Sequence, residues 1–265
     1  MPPFYLPQQP QHQIGITMKH ATLAAVCAFG CATLAPGAIA LPINDDFAVD
    51  IDLAAVSDYR SRGISQTQGD PALQADIMLS HASGLYLGAW TSNVDFGFAS
   101  KTRQEVDYYG GWAWQMAEQV NLDLGYIKYS YPKESQYNLS ELYAILAVQG
   151  FKLAAYYSTD ASTQYGKDQD SLYTWVGYQT ALSLRVGLEL RYGRVDFKDP
   201  SYWSQSGQSR DSYREWEARL TRDVLGLTWR LSYLDTNLSH AECASSYGFD
   251  DVCSATVVAG VSKHF

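Results

Sequence analysis

Beyond residue 40 this chain has no long apolar run, and the absence excludes a bundle of membrane-spanning helices. Each such helix needs roughly 20 consecutive apolar residues. Basic residues are also scarce, 19 Lys and Arg against 28 Asp and Glu, for a formal net charge of −9. No Lys/Arg block tracks a phosphate backbone, so a nucleic-acid partner is excluded. Only 5 His and 4 Cys occur, with no CxxC redox pair, no zinc-spaced cluster and no phosphate-cradling glycine loop. No cofactor and no metal are implied.

Two of the cysteines fall in an N-terminal export signal. Met18-Lys19-His20 opens a basic start, an apolar stretch follows through Cys27 and Cys31, and Ala38-Ile39-Ala40 has the small-x-small form of a cleavage site. Residues 1–17 read as a polar leader upstream of the true start, 18–40 as the signal peptide and 41–265 as one domain. In an oxidising compartment the remaining pair, Cys243 and Cys253, is expected to form a loop disulfide.

What the chain does have is tyrosine, 20 residues, with 7 Trp and 9 Phe in a sequence that is 46% hydrophobic and 18% charged. Aromatics with an apolar ring and a polar edge suit a membrane interface. From residue 48 the dominant pattern is alternation, the periodicity of a strand with one apolar face. Leu182, Leu184, Val186, Leu188, Leu190 and Tyr192 alternate with Ser183, Arg185, Gly187, Glu189 and Arg191. Strands are predicted near 48–58, 72–80, 85–93, 104–115, 119–129, 139–148, 151–159, 171–179, 182–192, 212–221, 224–235 and 254–265.

The connections are sorted by length. His81-Ala82-Ser83-Gly84, Gln149-Gly150 and Thr180-Ala181 are tight, whereas 59–71, 94–103, 130–138, 160–170, 193–211 and 236–253 are long and polar. Twelve amphipathic strands, short on one rim and long on the other, predict an all-β, antiparallel transmembrane β-barrel with periplasmic turns and extracellular loops. Lipid forbids bare backbone N–H and C=O groups, so such a sheet must close. The last strand ends at Phe265, which resembles the C-terminal aromatic signal read by barrel assembly machinery.

The stretch Asp58-Tyr59-Arg60-Ser61-Arg62-Gly63-Ile64-Ser65-Gln66-Thr67 is distinctive, as are Trp90-Thr91-Ser92-Asn93-Val94-Asp95-Phe96, Glu105-Val106-Asp107-Tyr108-Tyr109-Gly110-Gly111 and Glu141-Leu142-Tyr143. Together they resemble the TorF family of proteobacterial porin-like barrels over most of the chain. The resemblance implies an outer-membrane location and a porin-like role, and names no solute.

Alternation assigns the lumen-facing charges: Asp50, Asp52, Gln74, Asp76, Glu105, Asp107, Asp123, Lys152, Arg185, Glu189, Arg191, Glu217, Arg219 and Arg230, with Arg214 or Glu215 according to register. Acids gather in the first half and bases in the second. Two readings stand, a wet passage with a transverse field and a paired, non-conducting interior. Arg60 and Arg62 are candidate constriction residues if the first loop folds inward onto the acidic strands near 48–58, 72–80 and 104–115. The alternative is a structural corner at the rim. Tyr86, Trp112, Trp114, Tyr126, Tyr143, Trp175, Trp216 and Trp229 are candidate girdle aromatics, although Tyr86 and Trp175 fall on the less apolar side of their strands.

The expected function is passive diffusion of ions or small hydrophilic solutes. Expected partners are outer-membrane lipid, lipopolysaccharide, the assembly machinery and the solutes themselves; monomer and homo-oligomer both stay open. A non-conducting structural or adhesion barrel is the alternative. A barrel hydrolase ranks lower, because its only histidine near candidate groups is His240, beside Asp235, Ser239, Glu242 and Ser245 in one loop. The sequence therefore reads as a channel and not an enzyme.

Overall fold

The computed structural model describes residues 41–97, 100–163, 168–182 and 185–265. The expected leader and signal peptide, residues 1–40, lie outside the described residues. Twelve strands carry the fold: β1 (Phe47–Val56), β2 (Ala72–His81), β3 (Leu85–Asn93), β4 (Gln104–Ala117), β5 (Val120–Ser130), β6 (Leu139–Val148), β7 (Phe151–Ser162), β8 (Asp168–Ala181), β9 (Val186–Phe197), β10 (Ser212–Val224), β11 (Leu227–Thr236) and β12 (Thr256–His264). Each pairs antiparallel with its sequence neighbours, and β12 pairs with β1, so the sheet closes. The two-residue segment Leu41–Pro42 adds a short ladder to β1. Phe265 completes the seam by exchanging backbone hydrogen bonds with Ile51.

The alternation read from the sequence becomes an inside and an outside. Leu73, Ile77, Leu87, Leu142, Leu153, Val176, Leu190, Trp229, Leu231 and Val257 are exposed on the outer wall. That is the apolar surface a strand presents to hydrocarbon. Trp112 and Trp114 stack 5.4 Å apart on the same wall near the short-turn rim. Tyr86, Tyr143 and Trp175 face inward and are not girdle residues. Glycine explains part of this: a Cβ at Gly111 would strike the Tyr86 ring, and one at Gly125 the Tyr143 ring. Inward glycines leave room for the rings to lie flat across neighbouring strands.

The tight connections share one rim with both ends of the barrel. At Gln149-Gly150 both residues have positive φ (49° and 88°), the left-handed pair that a two-residue hairpin requires. β9 begins at Val186, later than the predicted 182, because Arg185 adopts φ 59° in the preceding turn. Arg185 is exposed there, in the turn before β9.

On the opposite rim the loops carry structure of their own. Loop 1, after β1, forms a miniature hairpin in which Arg60–Ser61 pairs with Ile64–Ser65. Loop 5, after β9, forms a second one, Tyr202–Trp203 with Ser209–Arg210. Loop 6, after β11, holds helix α1 (His240–Tyr247) with a capping box between Ser239 and Glu242 and a left-handed Gly248 at its end. Cys243 and Cys253 form the expected disulfide in this loop.

Candidate functional site

The interior divides into two halves. In the half under the long loops, loop 1 folds into the lumen: Ile64 and Gln66 are 0% exposed and Arg62 is 3%. The tip of its hairpin is Arg62-Gly63, with φ 48° and 83°, the same two-residue left-handed turn as at Gln149-Gly150. Gly63 approaches the wall so closely that a Cβ would strike the Thr236 methyl. Arg62 then reaches Glu141 on β6, its Nη2 donating to both carboxylate oxygens at 2.8 and 2.6 Å. Its guanidinium lies 4.4 Å from the Tyr173 ring centroid, and its carbonyl accepts from the Tyr213 hydroxyl at 3.0 Å. Burial opposes the Arg62 charge, yet Glu141 outweighs it and holds the pKa above the ordinary arginine value.

Arg60 stays in the loop. Its Nε donates to Asp58 at 2.6 Å, and its Nη1 donates to the carbonyls of Gly63 and Ser254 at 3.0 and 2.8 Å. Loop 1 is thus packed inside the barrel at this end. Its arginines do not face the acids of β1, β2 and β4, however; Arg62 selects Glu141 and Arg60 selects Asp58.

Loop 6 closes over the hairpin. The Ser65 N–H donates to the Val252 carbonyl at 2.8 Å, and the Thr236 hydroxyl donates to the Cys253 carbonyl at 2.9 Å. Tyr247 of α1 packs against Tyr202 of loop 5, whose ring meets Tyr213 edge-on at 5.5 Å. Burial raises the Tyr202 hydroxyl well above its ordinary value and Tyr247 to about 12, so both remain neutral.

Around this plug the wall consists of carboxylates held by phenols. Tyr59 donates to Glu105 at 3.0 Å, Tyr129 to Glu141 at 3.0 Å and Tyr173 to Glu215 at 2.7 Å. Such charge-assisted bonds offset part of the cost of burying an acid. Asp107 differs: it is 0% exposed, and neither carboxylate oxygen has a hydrogen-bond partner among the described residues. Opposite, the bases are already spent on acids. Arg191 meets Glu215 and Glu217 at 3.3 and 3.0 Å, and Arg219 meets Glu217 and Glu189 at 2.7 and 3.7 Å. The β9–β10 register places Glu215 inward and Arg214 outward.

The half toward the short turns is wetter. Asp50, Asp52, Asp76, Asp123, Lys152, Glu189, Arg219, Arg230 and His264 are all partly exposed. Asp50 lies 3.4 Å from His264 Nε2, Tyr109 bonds Asp76 at 2.9 Å, and Tyr86 bonds Asp123 at 2.6 Å. Asp52 and Asp76 are direct cross-strand partners. Every inward charge from β1 to β6 is therefore acidic: Asp50, Asp52, Asp76, Glu105, Asp107, Asp123 and Glu141. Glu141 and Asp58 were missed as partners in the sequence. The signal for Glu141 was its place as the sole charge in an otherwise apolar alternating strand.

The candidate hydrolase groups do not assemble. His240 Nδ1 meets the Asp250 carbonyl at 2.7 Å, Ser239 is spent on the helix cap with Glu242, and Ser245 donates to the Glu242 carbonyl. Among the described residues no group of three or more His, Cys, Asp or Glu side chains is placed to hold a metal.

Comparison with known proteins bears on the whole barrel. A family model described as bacterial protein of unknown function (Gcw_chp) matches residues 43–265. No curated protein sequence matches. Among solved structures, the NanC porin superposes with a TM-score of 0.51 at 10% identity, covering 81% of this chain and 98% of that one. The KdgM porin gives 0.47 at 10% identity, covering 82% and 99%. At 10% identity the likeness to the NanC porin is one of fold.

Proposed function

We propose that this chain, which belongs to the Gcw_chp family of bacterial proteins, is an outer-membrane, porin-like channel for small hydrophilic solutes, with loop 1 as its constriction. The observation that carries the proposal is the divided lumen. A charged, solvated vestibule opens toward the short-turn rim, and what blocks its far end is a loop rather than the wall. The apolar outer wall, the sealed β12–β1 seam and the sorting of loop lengths support insertion in an outer membrane. The TorF-like motif contributes to the same reading, since Asp58 to Thr67 is the inward-folded segment itself.

The solutes follow from charge. In the partly exposed half Asp50, Asp52, Asp76, Asp123 and Glu189 outnumber Lys152, Arg219 and Arg230, and Arg219 is committed to acids, so the passage favours cations. Lipid and lipopolysaccharide would surround the wall, and Phe265 would present the C-terminal aromatic to the assembly machinery. The test is the reversal potential of the refolded chain in planar bilayers under a salt gradient. Discrete steps with cation preference are expected. A folded, inserted barrel that stays silent would favour the second reading, a structural barrel, which the filled outer half supports.

A further inference from the structure

Arg62 stands at the tip of the loop 1 hairpin, where the left-handed turn aims its side chain into the wall. The surroundings there form a site for an organic cation. Glu141 offers both oxygens to one nitrogen, Tyr129 steadies that carboxylate, and the Tyr173 face closes the other side.

The fit is also incomplete. Arg62 Nε and Nη1 find no hydrogen-bond partner among the described residues. Asp107 is the direct cross-strand partner of Tyr129, whose hydroxyl bonds Glu141, and both Asp107 oxygens are left over. Buried carboxylates are ordinarily paired. The chamber therefore holds more hydrogen-bonding capacity than its resident guanidinium uses. That resident is attached to the wall only through a loop.

We propose that the Glu141–Tyr173 chamber is a binding site for guanidinium or alkylammonium solutes, and that Arg62 occupies it as a tethered stand-in for them. The proposal rests on the channel reading and deepens it, giving the class of solute recognised at the constriction. A solute carrying such a head group would displace Arg62, take its place between Glu141 and the Tyr173 ring, and bring further N–H donors toward Asp107. Release of Arg62 would withdraw the hairpin tip from the lumen, so solute binding would widen the constriction.

The test uses the refolded full barrel with Arg62→Ala and methylguanidinium chloride as the probe, against sodium chloride at equal ionic strength. Millimolar methylguanidinium should restore most of the melting temperature lost in R62A, and should fail to do so in R62A/E141Q. Equal melting curves in the two salts would overturn the proposal and leave Arg62 as a structural strut. Should R62A not fold unaided, refolding yield with and without methylguanidinium replaces the melting curve, with the same two outcomes. Melting needs no conduction. A chain that binds the probe but never conducts refutes the channel reading alone, and one that conducts without rescue refutes this inference alone.

Discussion

The two halves of the lumen hold similar residue types under opposite conditions. Under the long loops, Arg62 and Glu141 are sealed from solvent, with side chains 2% and 0% exposed. Toward the short turns, His264 and Asp50 form a looser pair at 29% and 20% exposure. The difference teaches that the wall does not decide whether this interior is a core or a passage. Every strand contributes to both halves with the same alternation. What changes is whether a loop supplies the missing neighbours, and loop 1 converts one half into packed protein while leaving the other wet.

If that contrast is sound, breaking a pair should cost far more in the sealed half. Glu141→Ala strands a buried guanidinium and is expected to destabilise the barrel by about 3–5 kcal/mol. Asp50→Ala, in the solvated half, is expected to cost about 1 kcal/mol or less. Urea unfolding of the two variants in lipid vesicles compares them, and equal costs would erase the distinction. Next in size is the clasp over the plug. Replacing Cys243 and Cys253 with Ser removes a bridge that spans 10 positions, expected to cost about 2–3 kcal/mol from loop closure alone. Hydrogen exchange should then quicken from Ser239 to Ser254 while β5 and β6 stay protected.

Asp107 sharpens the contrast from the other direction. Asn in its place removes the cost of burying an ionisable group that has no partner, so Asp107→Asn should stabilise the barrel by about 1–3 kcal/mol. A loss of that size would mean that the carboxylate is satisfied in the folded state. The smallest effect concerns pH at the clasp. Burial pushes Glu242 up, but hydrogen bonds from Ser239 and the charge of Arg210 outweigh it and hold its pKa below the ordinary 4.5. A carboxylate depressed by folding adds stability above its unfolded pKa and loses it as pH falls through the folded one. Exchange protection of α1 should therefore be flat from neutral pH down to about 5 and decline below 4.5. Glu242→Gln should flatten that decline.

The strands were legible because a barrel wall writes itself in period two, and the apolar outer positions carry the signal without tertiary help. Where β9 begins was less legible, since Leu182 and Leu184 continue the alternation before the backbone turns at Arg185. Candidate lumen-facing charges can be read from the sequence by counting from the apolar face. Their partners could not, because pairing across a lumen depends on where a loop folds. Glu141 shows this most clearly: it stood in a recognised motif, yet nothing local says that Arg62, 79 positions away, returns to it. The inward tyrosines were similarly hidden. Tyr143 reads as an interface anchor until the glycines on neighbouring strands are placed beside it.

The central claim is that loop 1, and not the wall, closes the passage. It is tested most directly by single-channel conductance of the intact chain beside one in which Arg60 to Ser65 is replaced by a short glycine–serine link, both verified as folded. The account predicts a several-fold larger, cation-preferring conductance for the shortened chain. Equal conductance in the two, or silence in both, would contradict it.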